Sequence, residues 1–138
     1  MINKETLIIL IYICGIYSIC FAIFHLYFWK LFDWKNELKK INVANRAIIQ
    51  IANLKLIYIF TFVGLVCFVF PIELLSTKLG NVLLLGNSLF WLTRIIEQFI
   101  FLKVKSRMVN LLTFFFVLGT ILFASPVFLK LVFFKPCL

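Results

Sequence analysis

Four long runs of apolar residues occupy most of the chain, and short polar or charged connections separate them. The runs cover approximately residues 6–29, 47–70, 79–102 and 108–134. Each run exceeds the roughly 20 residues that an α-helix needs to cross the hydrocarbon core of a bilayer. The pattern therefore predicts an all-α integral membrane protein, an up-down four-helix transmembrane bundle that forms a single domain over residues 1–138.

The first connection, residues 30–45, has a pattern of its own. The apolar residues that recur there at helical spacing, with charged residues between them, are Leu31, Trp34, Leu38 and Ile41. Such a pattern predicts a short amphipathic helix that lies in the headgroup plane after the first span. We interpret this helix as an interfacial linker, with a lid over a pocket entrance as the alternative. Asn45 is placed to cap the helix that follows.

Composition favours a membrane protein and excludes a soluble globular domain. Of the 138 residues, 64% are hydrophobic, and the mean hydropathy is +1.14. Soluble domains contain only about 45–50% apolar residues. The first run is too long for the apolar core of a secretion signal, and no small-residue cleavage site follows it, so we expect it to be retained as a span.

The net charge of +9 is distributed unevenly between the connections. Eight basic residues flank the first and third connections: Lys30, Lys35, Lys39, Lys40, Arg46, Lys103, Lys105 and Arg107. Four lie on the opposite side: Lys4, Lys78, Lys130 and Lys135. The positive-inside rule then predicts cytoplasmic connections one and three in a bacterial inner membrane, with both termini outside. Because basic groups beside a membrane attract anionic headgroups, we expect membrane lipids as partners and no nucleic acid.

A set of polar, ionisable and aromatic residues lies within or directly beside the first three runs, where polar groups mark either a site or a contact between helices. The candidate site residues are His25, Arg46, Gln50, Asn53, Asn87, Trp91, Arg94, Glu97 and Gln98. Helical spacing places Arg46, Gln50 and Asn53 on one face of the second span. A second stripe on the third span consists of Asn87, Trp91, Arg94 and Gln98, with Glu97 on its flank. We therefore predict a polar cluster between the first three spans, in the cytoplasmic half of the bundle, with Asn87 deeper, near or beyond the midplane.

This polar cluster has two interpretations for a non-enzymatic membrane protein. In the first, Arg94 and Glu97 form an ion pair three residues apart, and the amides add hydrogen bonds, which makes the cluster a structural clasp. In the second, Arg94 and Arg46 receive an anionic group in a small ligand pocket, while Glu97 or His25 handles a proton or cation. A third arrangement would place these groups at an oligomer interface.

The sequence is also compatible with two further classes of function. A small oligomeric transporter or channel would use Glu97 and Arg94, and a membrane enzyme or redox protein would act on a lipid or quinone through His25. The four cysteines lack metal-binding spacing, and one histidine with Glu97 is too small a ligand set, so we expect no metal and no cofactor. Besides lipids, a second copy of the chain and a membrane partner protein are candidate partners.

Three stretches of the chain carry a resemblance to known sequences: Phe24–Trp34, Asn45–Gln50 and Phe90–Gln98. They resemble a family of small, uncharacterised four-span bacterial membrane proteins. The resemblance covers most of the chain. It implies a four-span topology and indicates no activity.

Overall fold

The computed structural model describes residues 3–104 and 106–133, which are helical over most of their length and contain no strand. The helices are α1 (Lys4–Leu26), α2 (Phe28–Leu31), α3 (Trp34–Glu37), α4 (Val43–Val69), α5 (Pro71–Ser76), α6 (Lys78–Phe101) and α7 (Arg107–Phe133). A 3-10 turn, Leu38–Lys40, lies between α3 and α4. The all-α fold class is therefore confirmed.

Four of these helices, α1, α4, α6 and α7, are long and apolar enough to cross a membrane. They contain 23, 27, 24 and 27 residues. At about 1.5 Å per residue their lengths of roughly 35–40 Å exceed the hydrocarbon thickness of a bilayer. The four long apolar helices predicted from hydropathy are present, and each end lies within four residues of its expected position.

Contacts divide these helices into two compact units. The first, called here the α1–α4 unit, runs from Gly15 to Val66, and in it the second half of α1 lies antiparallel to α4. The second, the α6–α7 unit, comprises residues up to Cys14 and the described residues from Cys67 onward. There α6 and α7 are antiparallel neighbours, as the short connection between them indicates.

The connection after α1 differs from the single amphipathic helix that its sequence predicts. It is divided into α2, α3 and the 3-10 turn, and the break lies at Asp33, which has a left-handed φ of 44°. The Asp33 carboxylate accepts a hydrogen bond from Asn36 Nδ2 at 2.9 Å, which stabilises the start of α3. Leu38 is buried, as its apolar position in the pattern suggests.

The start of α4 corrects one expectation from the sequence. Asn42 Oδ1 accepts a hydrogen bond from the backbone N–H of Asn45 at 2.8 Å, so Asn42 is the N-cap. Asn45 instead lies in the first turn of α4. The prediction that Asn45 caps this helix is therefore wrong, because the helix extends further toward the N-terminus than the apolar run that defined it.

The connection between α4 and α6 contains the short helix α5. Thr77 Oγ1 accepts from the Gly80 N–H at 2.9 Å and donates to the Glu73 carbonyl, which caps α6 beside the end of α5. A Cβ on Gly80 would lie 2.4 Å from Leu74 Cα. Only glycine allows the backbones of α5 and α6 to approach this closely.

α7 continues through Pro126 to Phe133. Proline has no N–H, so the carbonyl four residues earlier, at Leu122, loses its helical partner. Ser125 Oγ donates to the Leu122 carbonyl at 2.9 Å, and Cys14 Sγ lies 3.5 Å from the same oxygen. These side chains replace the missing backbone bond within an apolar segment, where no water would do so.

Candidate functional site

In the α1–α4 unit, two of the candidate residues contact each other. Asn53 and His25 are only 3% and 8% exposed. The Asn53 Nδ2 group donates to the His25 backbone carbonyl at 3.0 Å. This carbonyl belongs to the last turn of α1, where the helix itself supplies no donor, so Asn53 on α4 caps the end of α1.

Aromatic rings surround the His25 imidazole. It stacks on Phe28 with ring centroids 4.4 Å apart and also contacts Phe24 and Phe60. The Nδ1 atom lies 2.9 Å from the Phe21 carbonyl, an oxygen that only accepts hydrogen bonds, so Nδ1 carries the proton in this arrangement. The histidine is thus held in one orientation by its own helix.

The same unit contains one buried polar atom without a partner. Asn53 Oδ1 makes no hydrogen bond to any residue that the structure describes. Arg46 and Gln50, which share its predicted helix face, are half-buried. Their side chains likewise make no hydrogen bond or ion pair within residues 3–104 and 106–133.

In the α6–α7 unit, Gln98 joins the two long helices. Its Nε2 group donates to the Val109 carbonyl at 3.0 Å and to Thr113 Oγ1 at 2.5 Å. Further along the hairpin, Ser88 Oγ on α6 donates to the Thr120 carbonyl on α7 at 2.8 Å. Of these residues, the polar pattern of the sequence indicates only Gln98. Ser88 and Thr113 carry small hydroxyls of the kind that is common at contacts between membrane helices, and that is the signal by which they could be found.

The Arg94–Glu97 ion pair expected from the spacing is present on α6. Arg94 donates to Glu97 Oε2 at 2.7 Å, and the two side chains are 43% and 46% exposed. The guanidinium also lies over the Phe116 ring, 5.5 Å from its centroid, and that ring packs on the buried Trp91. Asn87 donates to the Leu83 carbonyl of its own helix and joins no other helix through this bond.

A groove of about 780 Å³ lies between α6 and α7, at the end where the two helices connect. Its apolar lining consists of Phe99, Leu102, Val104, Val109, Phe114 and Val117. Its polar lining consists of Gln98, Lys103, Asn110 and Thr113. Gln98 and Thr113 bind each other, whereas the Lys103 and Asn110 side chains have no hydrogen-bond partner in the described part of the chain.

The structure thus brings the candidates together in two sets, each within one unit. One contains His25 and Asn53, and the other contains Arg94, Glu97 and Gln98. Within the described residues no group of three or more His, Cys, Asp or Glu side chains is arranged to hold a metal ion. Cys14 and Cys67 are buried, Cys20 is exposed, and Cys137 lies outside the described residues.

Comparisons with known proteins add no family to this description, so the family resemblance drawn from the sequence stays a prediction. No family model, no curated protein and no solved structure matches this chain.

Proposed function

We propose that this chain is a non-enzymatic, multi-pass protein of a bacterial inner membrane that binds a small ligand in the groove between α6 and α7. The observation that carries the proposal is the groove itself, with a volume of about 780 Å³ and a largely apolar lining that includes four polar side chains. Ligand sites in proteins typically measure 300–1,000 Å³ and combine an apolar lining with a few polar side chains.

The polar residues of the groove divide into two roles. Gln98 and Thr113 are engaged in bonds that join α6 to α7, and they hold the wall of the groove in place. Lys103 and Asn110 make no bond within the described residues, and they offer a cation and an amide to a ligand. This groove is not the pocket predicted from the sequence, because Arg94, Arg46, Glu97 and His25 do not line it.

The proposal includes an orientation, with both termini outside and the α6–α7 connection in the cytoplasm. It is supported by the excess of basic residues beside the first and third connections. Single cysteines at Ser76 and Ser106, in a chain whose native cysteines are replaced, test it. In intact cells we expect a membrane-impermeant maleimide to label Ser76→Cys, and to label Ser106→Cys only after lysis. The reverse pattern contradicts the orientation.

Ligand binding is tested by a native mass spectrum of the protein released from membranes in nanodiscs. We expect a discrete added mass that Val117→Trp removes, because the indole fills the apolar part of the groove. Leu118→Trp is the matched control, since Val117 and Leu118 are each 40% exposed and only Val117 lines the groove. A clean apo mass in the unmodified protein contradicts the proposal.

A further inference from the structure

We infer that the ligand of the α6–α7 groove is an anionic phospholipid of the cytoplasmic leaflet. Its phosphate lies at Lys103 and Asn110, and one acyl chain follows the apolar wall toward Val117. This inference rests on the proposed function and names the chemical class of the ligand. The occupant is a lipid rather than a soluble anion, because the groove is apolar over most of its lining.

Charge is the first argument for an anionic headgroup. Lys103 lines the groove and Arg107 is the first residue of α7, and neither makes an ion pair within the described residues. The sequence adds Lys105 to the same connection and contains no aspartate or glutamate after Glu97. The N-terminal end of α7 contributes a further partial positive charge. The C-terminal end of α6 at the same place carries the opposite partial charge, so the three cationic side chains of residues 103–107 are what favour an anion at this end of the groove.

Length is the second argument, and it favours a lipid over a free phosphate. Val117 lies ten residues beyond Arg107 on α7, which corresponds to about 15 Å along the helix axis. The hydrocarbon core of a bilayer is about 30 Å thick, so the groove extends from the headgroup level to about the midplane. This is the depth of one leaflet, and an acyl chain spans the same distance.

The arrangement of polar and apolar groups along the groove matches that of a phospholipid. Asn110 lies in the first turn of α7, about 5 Å from Arg107 along the axis, where phosphate and ester oxygens would accept from its amide. Deeper along the groove, Phe114 and Val117 present exposed apolar surface. A soluble anion would leave this second part uncovered, whereas an acyl chain would pack against it.

The test uses the full chain in nanodiscs that contain equal amounts of phosphatidylglycerol and phosphatidylcholine. Native mass spectrometry after gentle release measures which lipid the protein retains. We expect preferential retention of phosphatidylglycerol, and a preference reduced about fivefold in Lys103→Gln, since one lysine near the surface contributes that much attraction for an anionic lipid. Lys35→Gln is the matched control, because this exposed lysine does not line the groove.

A second pair of variants separates the inference from the proposed function. Val117→Trp should lower the retention of both lipids, and Leu118→Trp should lower neither. If both lipids are retained equally and Val117→Trp still releases them, the groove binds a ligand but the anionic inference is wrong. If Val117→Trp changes the retention of neither lipid, both the proposed ligand binding in the groove and the anionic-lipid inference are wrong.

One further measurement distinguishes the lipid from a free anion. Inorganic phosphate at millimolar concentration should leave the retained phosphatidylglycerol in place. Displacement of the lipid by phosphate alone would overturn the assignment to a phospholipid. Equal retention by Lys103→Gln and Lys35→Gln would overturn the role of Lys103.

Discussion

The side chain of Asn53 donates a hydrogen bond to the backbone carbonyl of His25 at 3.0 Å, between α4 and the last turn of α1. A carbonyl at a helix end has no partner within its helix, and hydrocarbon offers none. Asn53 supplies that partner from a position three residues after Gln50, on the face that the polar pattern defines. One amide thereby joins two membrane-spanning helices.

Replacing Asn53 by alanine should destabilise the protein by about 1 kcal/mol, because it leaves the His25 carbonyl buried without a donor. Removal of the unpartnered Asn53 Oδ1 offsets part of this cost. Asn87→Ala is the matched control, since Asn87 donates at 2.9 Å to a carbonyl of its own helix. Unfolding in mixed micelles measures the stability of both variants. Equal losses of stability would show that the bond between helices makes no contribution of its own.

The membrane-spanning helices could be predicted from the sequence because hydropathy and length determine them. Their ends could be predicted less well, since local hydrogen bonds decide them. Asn42 caps α4 three residues before Asn45, and the left-handed Asp33 divides the connection that periodicity alone predicts as one helix. A backbone break of this kind leaves the spacing of apolar residues almost unchanged, so the pattern does not report it.

For the candidate site, contacts within one helix were predictable and contacts between helices were not. The Arg94–Glu97 pair follows from a spacing of three residues. The bond from Gln98 to Thr113 depends on how α6 and α7 are rotated about their own axes, which helical periodicity does not fix. The groove is a space between packed side chains, and it has no counterpart in the sequence pattern.

The Gln98–Thr113 contact should couple the stabilities of α6 and α7. In a double-mutant cycle with Gln98→Leu and Thr113→Val, we expect a coupling energy of about 0.5–1.5 kcal/mol, as for hydrogen bonds between membrane helices. Gln50→Leu with Thr113→Val is the control cycle, because the Gln50 side chain makes no hydrogen bond within the described residues. Additive effects in the Gln98 cycle would contradict a direct energetic contribution from this bond.

The Arg94–Glu97 pair should affect the stability of the protein mainly through the unpaired charge that remains when one partner is removed. Among the described residues, Glu97→Leu leaves the Arg94 guanidinium with only the Phe116 ring as a partner, and we expect a loss of about 1 kcal/mol in stability, since both side chains are almost half exposed. The double variant Arg94→Met with Glu97→Leu removes both charges and should recover most of that loss. Thermal unfolding in nanodiscs compares them, and a double variant less stable than the single one argues against this account.

Two glycines of α6 should respond in opposite directions to the same substitution. Gly80→Ala places a Cβ 2.4 Å from Leu74 Cα, a backbone atom that cannot move aside by rotating a side chain, so we expect a loss of about 2 kcal/mol. Gly86→Ala meets nothing within 4 Å, and alanine favours a helix over glycine by up to about 1 kcal/mol, so this variant should be as stable as the original or more stable. Unfolding in mixed micelles measures the free energy of unfolding of both variants, whose substitutions lie on the same helix. A Gly80→Ala variant as stable as Gly86→Ala would mean that α5 does not pack against α6 as described.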